Sequence, residues 1–258
     1  MTRGLSIALI ALLLSACVSA PKPLSGDLLT RLKQGSTAVL FADDVGAISY
    51  LEDTYYVLGV SQSAANSVYK GTWDSNRDLS DLHTAEFANL GLKSQSAYSL
   101  LSASQIEEFT AAERAQARYT YYPDKKLKAA KKDAAKDPAL SPAFRDALLA
   151  QGQEWLVMIA WSGFSLHIKT LGLAPAEDLH TTFWVIDLKE NRVLWGAGLL
   201  TIENVSLGEK TGKEFLESDD LRGLKSEVST RMREYYQAEK RKSKDVGTLL
   251  GLKAEPAP

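Results

Sequence analysis

The chain has 258 residues, 45% hydrophobic and 24% charged, with a formal net charge of −2, three histidines and one cysteine. This apolar content supports a core of domain size. Near-neutrality argues against the basic face that a nucleic-acid partner requires, and a lone thiol excludes an internal disulfide. His83, His167 and His180 are scattered without metal-ligand spacing, no glycine-rich phosphate loop occurs, and neither metal nor cofactor is expected.

Arg3 precedes an apolar run from Leu5 to Leu14, broken only by Ser6, and small residues then lead to Cys17. This is the layout of a secretory signal over residues 1–16; the run falls well short of the ~20 residues a spanning helix needs. Leu14-Ser15-Ala16-Cys17 resembles the lipobox of bacterial lipoproteins. The resemblance implies cleavage after Ala16, a diacylglyceryl group on the Cys17 thiol and acylation, with palmitate or a similar chain, of the new amino group. With Val18 and not Asp next, it implies delivery to the outer membrane. Two or three acyl chains, at about 0.8 kcal/mol per buried methylene, hold a protein where one binds reversibly.

Residues 17–26 carry Ser19, Pro21, Pro23, Ser25 and Gly26, the composition of a tether. A single α/β domain is expected over 27–250. It begins with a short helix at Leu28–Lys33 and a buried strand at Ser36–Ala42, closed by Asp43, Asp44 and Gly46. A second strand is read at Thr54–Val60, ended by Gly59.

A helical excursion follows over about 78–152. Leu79, Leu82, Phe87, Leu90 and Leu92 mark a helix stopped at Gly91. Ser104 to Glu107 matches a capping box, which opens a helix to about Arg118. Lys125, Lys126, Lys128, Lys131, Lys132 and Lys136 then alternate with alanine and form either a solvated connector or a patch for an anionic envelope polymer or lipid. Ser141 and Pro142 start a helix bearing Phe144, Leu148 and Leu149, ended by Gly152.

Beyond it, Glu154–Trp161, Gly163–Leu171, Asp178–Leu188 and Arg192–Val205 favour strands, the last two joined by a Lys-Glu-Asn-Arg turn. A long helix is read from Gly212 to about Lys242 on Leu216, Leu221, Leu224, Val228, Met232 and Tyr235. Residues 251–258 form a disordered tail. The class is α/β (α+β), a mixed sheet with a C-terminal antiparallel meander packed by helices.

The strand from Phe183 to Leu188 with the return Val193-Leu194-Trp195 resembles the hairpin of periplasmic α/β lipoprotein domains of the CsgG and TolB N-terminal kind. The likeness covers about fifty residues, Glu154 to Val205, with the following helix, and neither the Lys-rich segment at 125–136 nor the long helical middle has a counterpart in it. It implies a non-catalytic assembly or accessory module with a protein partner in the envelope. Two other readings stay open: an envelope hydrolase acting on peptidoglycan or an ester, and a binder of anionic polymer through the lysines. For hydrolysis, Ser162, His180 and Asp187 supply a triad by inventory, and Asp43 with Asp44 a carboxylate pair. Trp161 and Tyr236 are candidate exposed anchors, since tryptophan and tyrosine concentrate binding energy at interfaces. One of Tyr235 and Tyr236 is expected to face the core.

Overall fold

The structure, a computed structural model, describes residues 24, 26–43, 48–56, 59–63, 73–116, 139–161, 164–169, 176–206, 222–237 and 246–252. Residues 1–23, with the signal segment and Cys17, the lysines at 125–136, Leu216, Leu221 and the tail beyond 252 lie outside the described residues.

Helix α1 (Gly26–Gln34) has Asp27 in its first turn and Arg31 and Lys33 in its last, each charge matching the helix dipole. Strands β1 (Ser36–Asp43), β2 (Ile48–Tyr56) and β3 (Gly59–Ser63) follow, then α2 (Ser75–Asn89), β4 (Lys93–Ser96), α3 (Ala97–Leu100), α4 (Ala103–Gln116) and α5 (Pro142–Ala150). The C-terminal part holds β5 (Trp155–Trp161), β6 (Phe164–Lys169), β7 (Ala176–Asp187), β8 (Arg192–Ser206), α6 (Arg222–Gln237) and α7 (Val246–Leu249).

The eight strands form one mixed sheet of five rows. β1 runs parallel to β5 and β2 runs parallel to β6, while β5 and β6 pair in succession with the same edge of β7. Thus β1–β2 and β5–β6 are each one row interrupted midway, and β7 runs the whole height beside β8. β4 flanks β1 in parallel, and β3 flanks β2 antiparallel.

Side chains alternate between two helical layers, as the period of two requires. Val39, Phe41, Trp155, Val157, Ile159, Phe183 and Val185 face α1, α2, α6 and α7. Ala38, Leu40, Leu156, Met158, Trp184 and Ile186 face α3, α4 and α5. The continuous apolar runs of β1 and β5 are therefore buried on both sides.

Several expectations shift. The tether reading ended at Gly26, yet Leu24 is buried in the core and Gly26 already opens α1. At the other end Leu250 is buried in the same cluster, with Leu252 packed against it, so the folded body extends past 250. Gly59 starts β3 instead of closing a strand, making a β2–β3 hairpin. The excursion contains a strand, β4, held by backbone pairing to β1. The capping box lies two residues early: Ser102 N–H donates to Gln105 Oε1 at 2.9 Å and Gln105 N–H to Ser102 Oγ at 3.4 Å. Of the helix read from the sequence, α6 covers Arg222–Gln237; residues 212–221 and 238–242 lie outside the described residues.

Candidate functional site

Three places gather polar groups or, among the described residues, leave a strand with a single strand partner. The first lies under the α2–α6 layer. Asp74 caps α2 by accepting the Arg77 N–H, and Gly91, at φ +90°, ends the turn beyond the helix. Along the apolar stripe of α2, His83 stands four residues from both Leu79 and Phe87, so it points inward. Its Nδ1 lies 2.5 Å from the Tyr236 hydroxyl of α6. Phe41 stacks with the imidazole at 5.9 Å, and Phe183 meets it edge-on at 5.7 Å. Burial pushes the imidazole from 6.5 down to about 3. It also raises the Tyr236 hydroxyl well above 10, helped by the negative charge of Glu86.

Both groups are therefore neutral near pH 7. Nε2 has no hydrogen-bond partner among the described residues. One turn away the Ser80 hydroxyl accepts the Phe41 N–H at 2.7 Å, serving β1 just beyond the end of β4. Outside this layer Asp78 joins α2 to α6, accepting Trp73 Nε1–H at 2.9 Å and pairing with Lys225 at 2.5 Å.

The second place is the β7–β8 turn. Asp187 Oδ1 accepts the Glu190 N–H at 3.0 Å, and Oδ2 pairs with Arg31, whose guanidinium lies over the Trp155 ring. Asn191 adopts φ +48°, a left-handed value that asparagine tolerates. Its side chain accepts the Leu140 N–H and donates to the Leu140 carbonyl, both at 2.9 Å. The turn is thereby locked to the start of α5.

The third place is the outer edge of the sheet. β8 is 15 residues long and, among the described residues, pairs only with β7. Its register against β7 shifts at three points. Gly196 lies so close to the Trp184 ring that a Cβ there would fall 2.8 Å from it.

Those residues singled out from the sequence that are described do not converge. Cys17 and Lys125, Lys126, Lys128, Lys131 and Lys132 lie outside the described residues. Trp161 ends β5 opposite Thr181, and its side chain is likewise outside the description. Tyr236 is no surface anchor: it is 2% exposed, because it shares the α6 stripe of Val228 and Met232. His180 and Asp187 both belong to β7, about 23 Å apart at ~3.3 Å per residue, so they cannot serve one triad. Asp43 ends β1, and Asp44 is not described. Among the described residues no helix is long and apolar enough to cross a membrane. No group of three or more His, Cys, Asp or Glu there stands ready for a metal.

The His83–Tyr236 pair and the Asn191 lock were missed because their partners are 153 and 51 residues apart in sequence. Only the place of His83 on the Leu79–Phe87 stripe signalled a buried histidine.

No family model and no curated protein matches the chain. Among solved structures, it is similar to the hypothetical protein CT253 from Chlamydia trachomatis at 12% identity and a TM-score of 0.39, covering 79% of this chain and 91% of that one. Lipoprotein GNA1162 from Neisseria meningitidis is similar at 12% identity and a TM-score of 0.33, over 77% and 98%. A PelC dodecamer from Paraburkholderia phytofirmans is similar at 14% and 0.29, over 72% and 78%. Likenesses this shallow assign neither family nor activity.

Proposed function

We propose that this chain is a bacterial envelope lipoprotein, held through acylated Cys17 at the periplasmic face of the outer membrane. There it acts as a non-catalytic binding or assembly subunit. The lipobox-like Leu14-Ser15-Ala16-Cys17 supports the anchor. The β8 edge is the observation that carries the binding role.

A free sheet edge offers a row of backbone donors and acceptors to any passing strand, and proteins normally blunt it. The opposite side of the sheet is blunted: β4 is four residues long and its Lys93 and Gln95 are exposed. β8 is nearly four times longer, contains no proline, and carries no charge between Arg192 and Glu203. Its register shifts bend and twist the strand, which discourages indiscriminate pairing and leaves an edge of defined shape. Such an edge suits a partner that adds a strand, with main-chain hydrogen bonds supplying affinity. Lipid anchoring raises the effective concentration of that edge along one membrane.

The test is photo-crosslinking in cells from a probe at Ala197 of the full-length chain, beside the same chain carrying Cys17→Ala, with fractionation of both. A defined crosslinked product in the membrane fraction that fades with Cys17→Ala is the expected result. Wild-type protein that reaches the membrane and yields no crosslink from any position between Val193 and Ile202 overturns the binding role.

A further inference from the structure

We infer that one pole of the sheet, where the end of α1 meets the start of β4 and the β7–β8 turn, lies on the anionic phospholipid headgroups of the membrane that holds Cys17. This rests on the reading of Cys17 as an acylated anchor and names the surface that the anchored domain turns to that membrane.

Contacts in the structure gather five cations at this pole. Arg31, in the last turn of α1, reaches Asp187 at 3.0 Å and keeps 58% of its side chain exposed. Lys33 is exposed in the same turn, and exposed Lys93 at the start of β4 donates to the Gln34 carbonyl at 2.8 Å. Arg192 is the strand partner of Asp187, and Lys189 stands in the turn between them, both exposed. Among the described residues the exposed carboxylates beside these cations are Glu154, against Gly35, and Glu190. Asp187 is buried and spent on Arg31 and the Glu190 N–H. The dipole of α1 accounts for Arg31 and Lys33. It does not account for Lys189 and Arg192, which belong to a turn of the sheet.

Elsewhere on the same helical layer the charge turns over. On the outer side of α2, Asp74, Asp81 and half-buried Glu86 stand against Arg77, and Asp78 is taken by Lys225. On α6, exposed Arg233 is offset by exposed Glu234. An anionic surface therefore draws the pole and repels α2. Each Lys or Arg close to such a surface favours contact about fivefold. Anchoring supplies the effective concentration at which so small a bias sets orientation.

Chain length permits the pose. Leu24 is buried and fixed, since Gly251 packs on its carbonyl with no room for a Cβ. Cys17 lies seven residues before Leu24, so at ~3.3–3.6 Å per extended residue the anchor is within about 25 Å of it. The nine residues of α1 carry the chain about 14 Å toward the pole. The tether is long enough to let the pole touch the surface and short enough to keep the domain beside it. In this pose β8, which begins at Arg192, rises from the membrane.

The experiment uses the full-length chain as processed in cells, placed in vesicles of phosphatidylcholine with phosphatidylglycerol or of phosphatidylcholine alone, each with a headgroup-borne quencher. Cys17 is the one cysteine and its thiol is acylated in this reading, so a cysteine introduced elsewhere takes a thiol-reactive fluorophore alone. Labels go on Gln34→Cys at the pole and Asp81→Cys on α2, both exposed positions. Quenching several-fold stronger at Gln34→Cys is expected on the anionic vesicles. The preference should fall toward parity on phosphatidylcholine alone, at raised salt, and on adding Lys33→Gln, Lys93→Gln and Lys189→Gln together. Parity on anionic vesicles, stronger quenching at Asp81→Cys, or a preference indifferent to lipid charge and salt overturns the pose. The lipid and salt comparisons need no lysine replacement, so they hold even where the triple variant folds poorly. Intact mass separates the two readings: a chain without acyl mass on Cys17 removes the anchor and this pose together, whereas an acylated chain at parity removes the pose alone.

Discussion

The two helical layers close the same sheet by different means. The α4–α5 side is dry where its helices meet: Phe109 and Phe144 stack at 3.9 Å, surrounded by Leu101, Ile106, Leu140 and Leu148. The α2–α6 side buries polar groups among its aromatics, with Ser80 completing β1 and His83 joined to Tyr236. A purely apolar layer tolerates hydrophobic exchange of similar volume, whereas a buried polar pair fixes which helix faces which and becomes sensitive to protons. One side is held by volume, the other by volume and by protonation state.

The largest expected effect sharpens the dry side. Phe144→Ala empties half of a stacked pair and should cost about 3–5 kcal/mol, by the same amount at pH 7 and pH 5 in denaturant titrations. A loss that depends on pH would break the contrast. On the wet side, Tyr236→Phe strands His83 Nδ1 and should cost about 1–3 kcal/mol. Replacing both members, His83→Leu with Tyr236→Phe, should recover much of that loss, because no buried polar atom is then orphaned. A double-mutant cycle with no coupling would show that the 2.5 Å pair stabilises nothing.

Acid gives the next effect. His83 titrates at about 3 in the folded chain and near 6.5 when unfolded, so between these values the unfolded state holds the extra proton. Its contribution is complete above pH 6.5 and is lost as pH falls toward 3, with a slope of at most about 1.4 kcal/mol per unit. Stability measured from pH 7 to pH 4 should show this slope in wild type and lose that component in the double replacement; an unchanged slope would place the acid sensitivity elsewhere. The smallest effect is Leu149→Ala, on the exposed side of α5. It should change stability by less than about 0.5 kcal/mol by thermal unfolding, and a loss of several would mean that this side is covered.

What could be read from the sequence follows how local each signal is. β1 and β5 announce themselves as apolar runs because both of their faces are buried. α5 carries its own boundaries in Ser141, Pro142 and Gly152, and Ser141 Oγ does accept the Phe144 N–H. Leu149, counted with the apolar stripe, turns outward because it lies one residue, or 100° of helix, beyond Leu148. β4 gave no pattern, since Lys93, Ser94, Gln95 and Ser96 are polar and pair with β1 through the backbone, the side chains of the first three bonding to Gln34, Thr84 and Gln153. The capping box was read at Ser104, but the fold places it at Ser102, whose bonds to Gln105 close the helix start. The Tyr236 expectation failed because Tyr235 and Tyr236, three and four residues beyond Met232, both fit the stripe of Val228 and Met232, and only the fold shows Tyr236 buried. Of the proposed binding surface, the composition of β8 was legible. That β8 lies at the outer edge was not, because a strand's place in the sheet order is decided by its partners.

Helices close both faces, and among the described residues β7 is the one strand beside β8. The most direct measurement is in-cell crosslinking of the full-length chain from single photo-probes placed successively along Val193–Ile202, compared with probes on Lys93 and Gln95 of β4. The account predicts a defined product from the β8 positions, dependent on Cys17, and none from β4. Equal yields from both edges, or none from β8 in a membrane-bound chain, would contradict it.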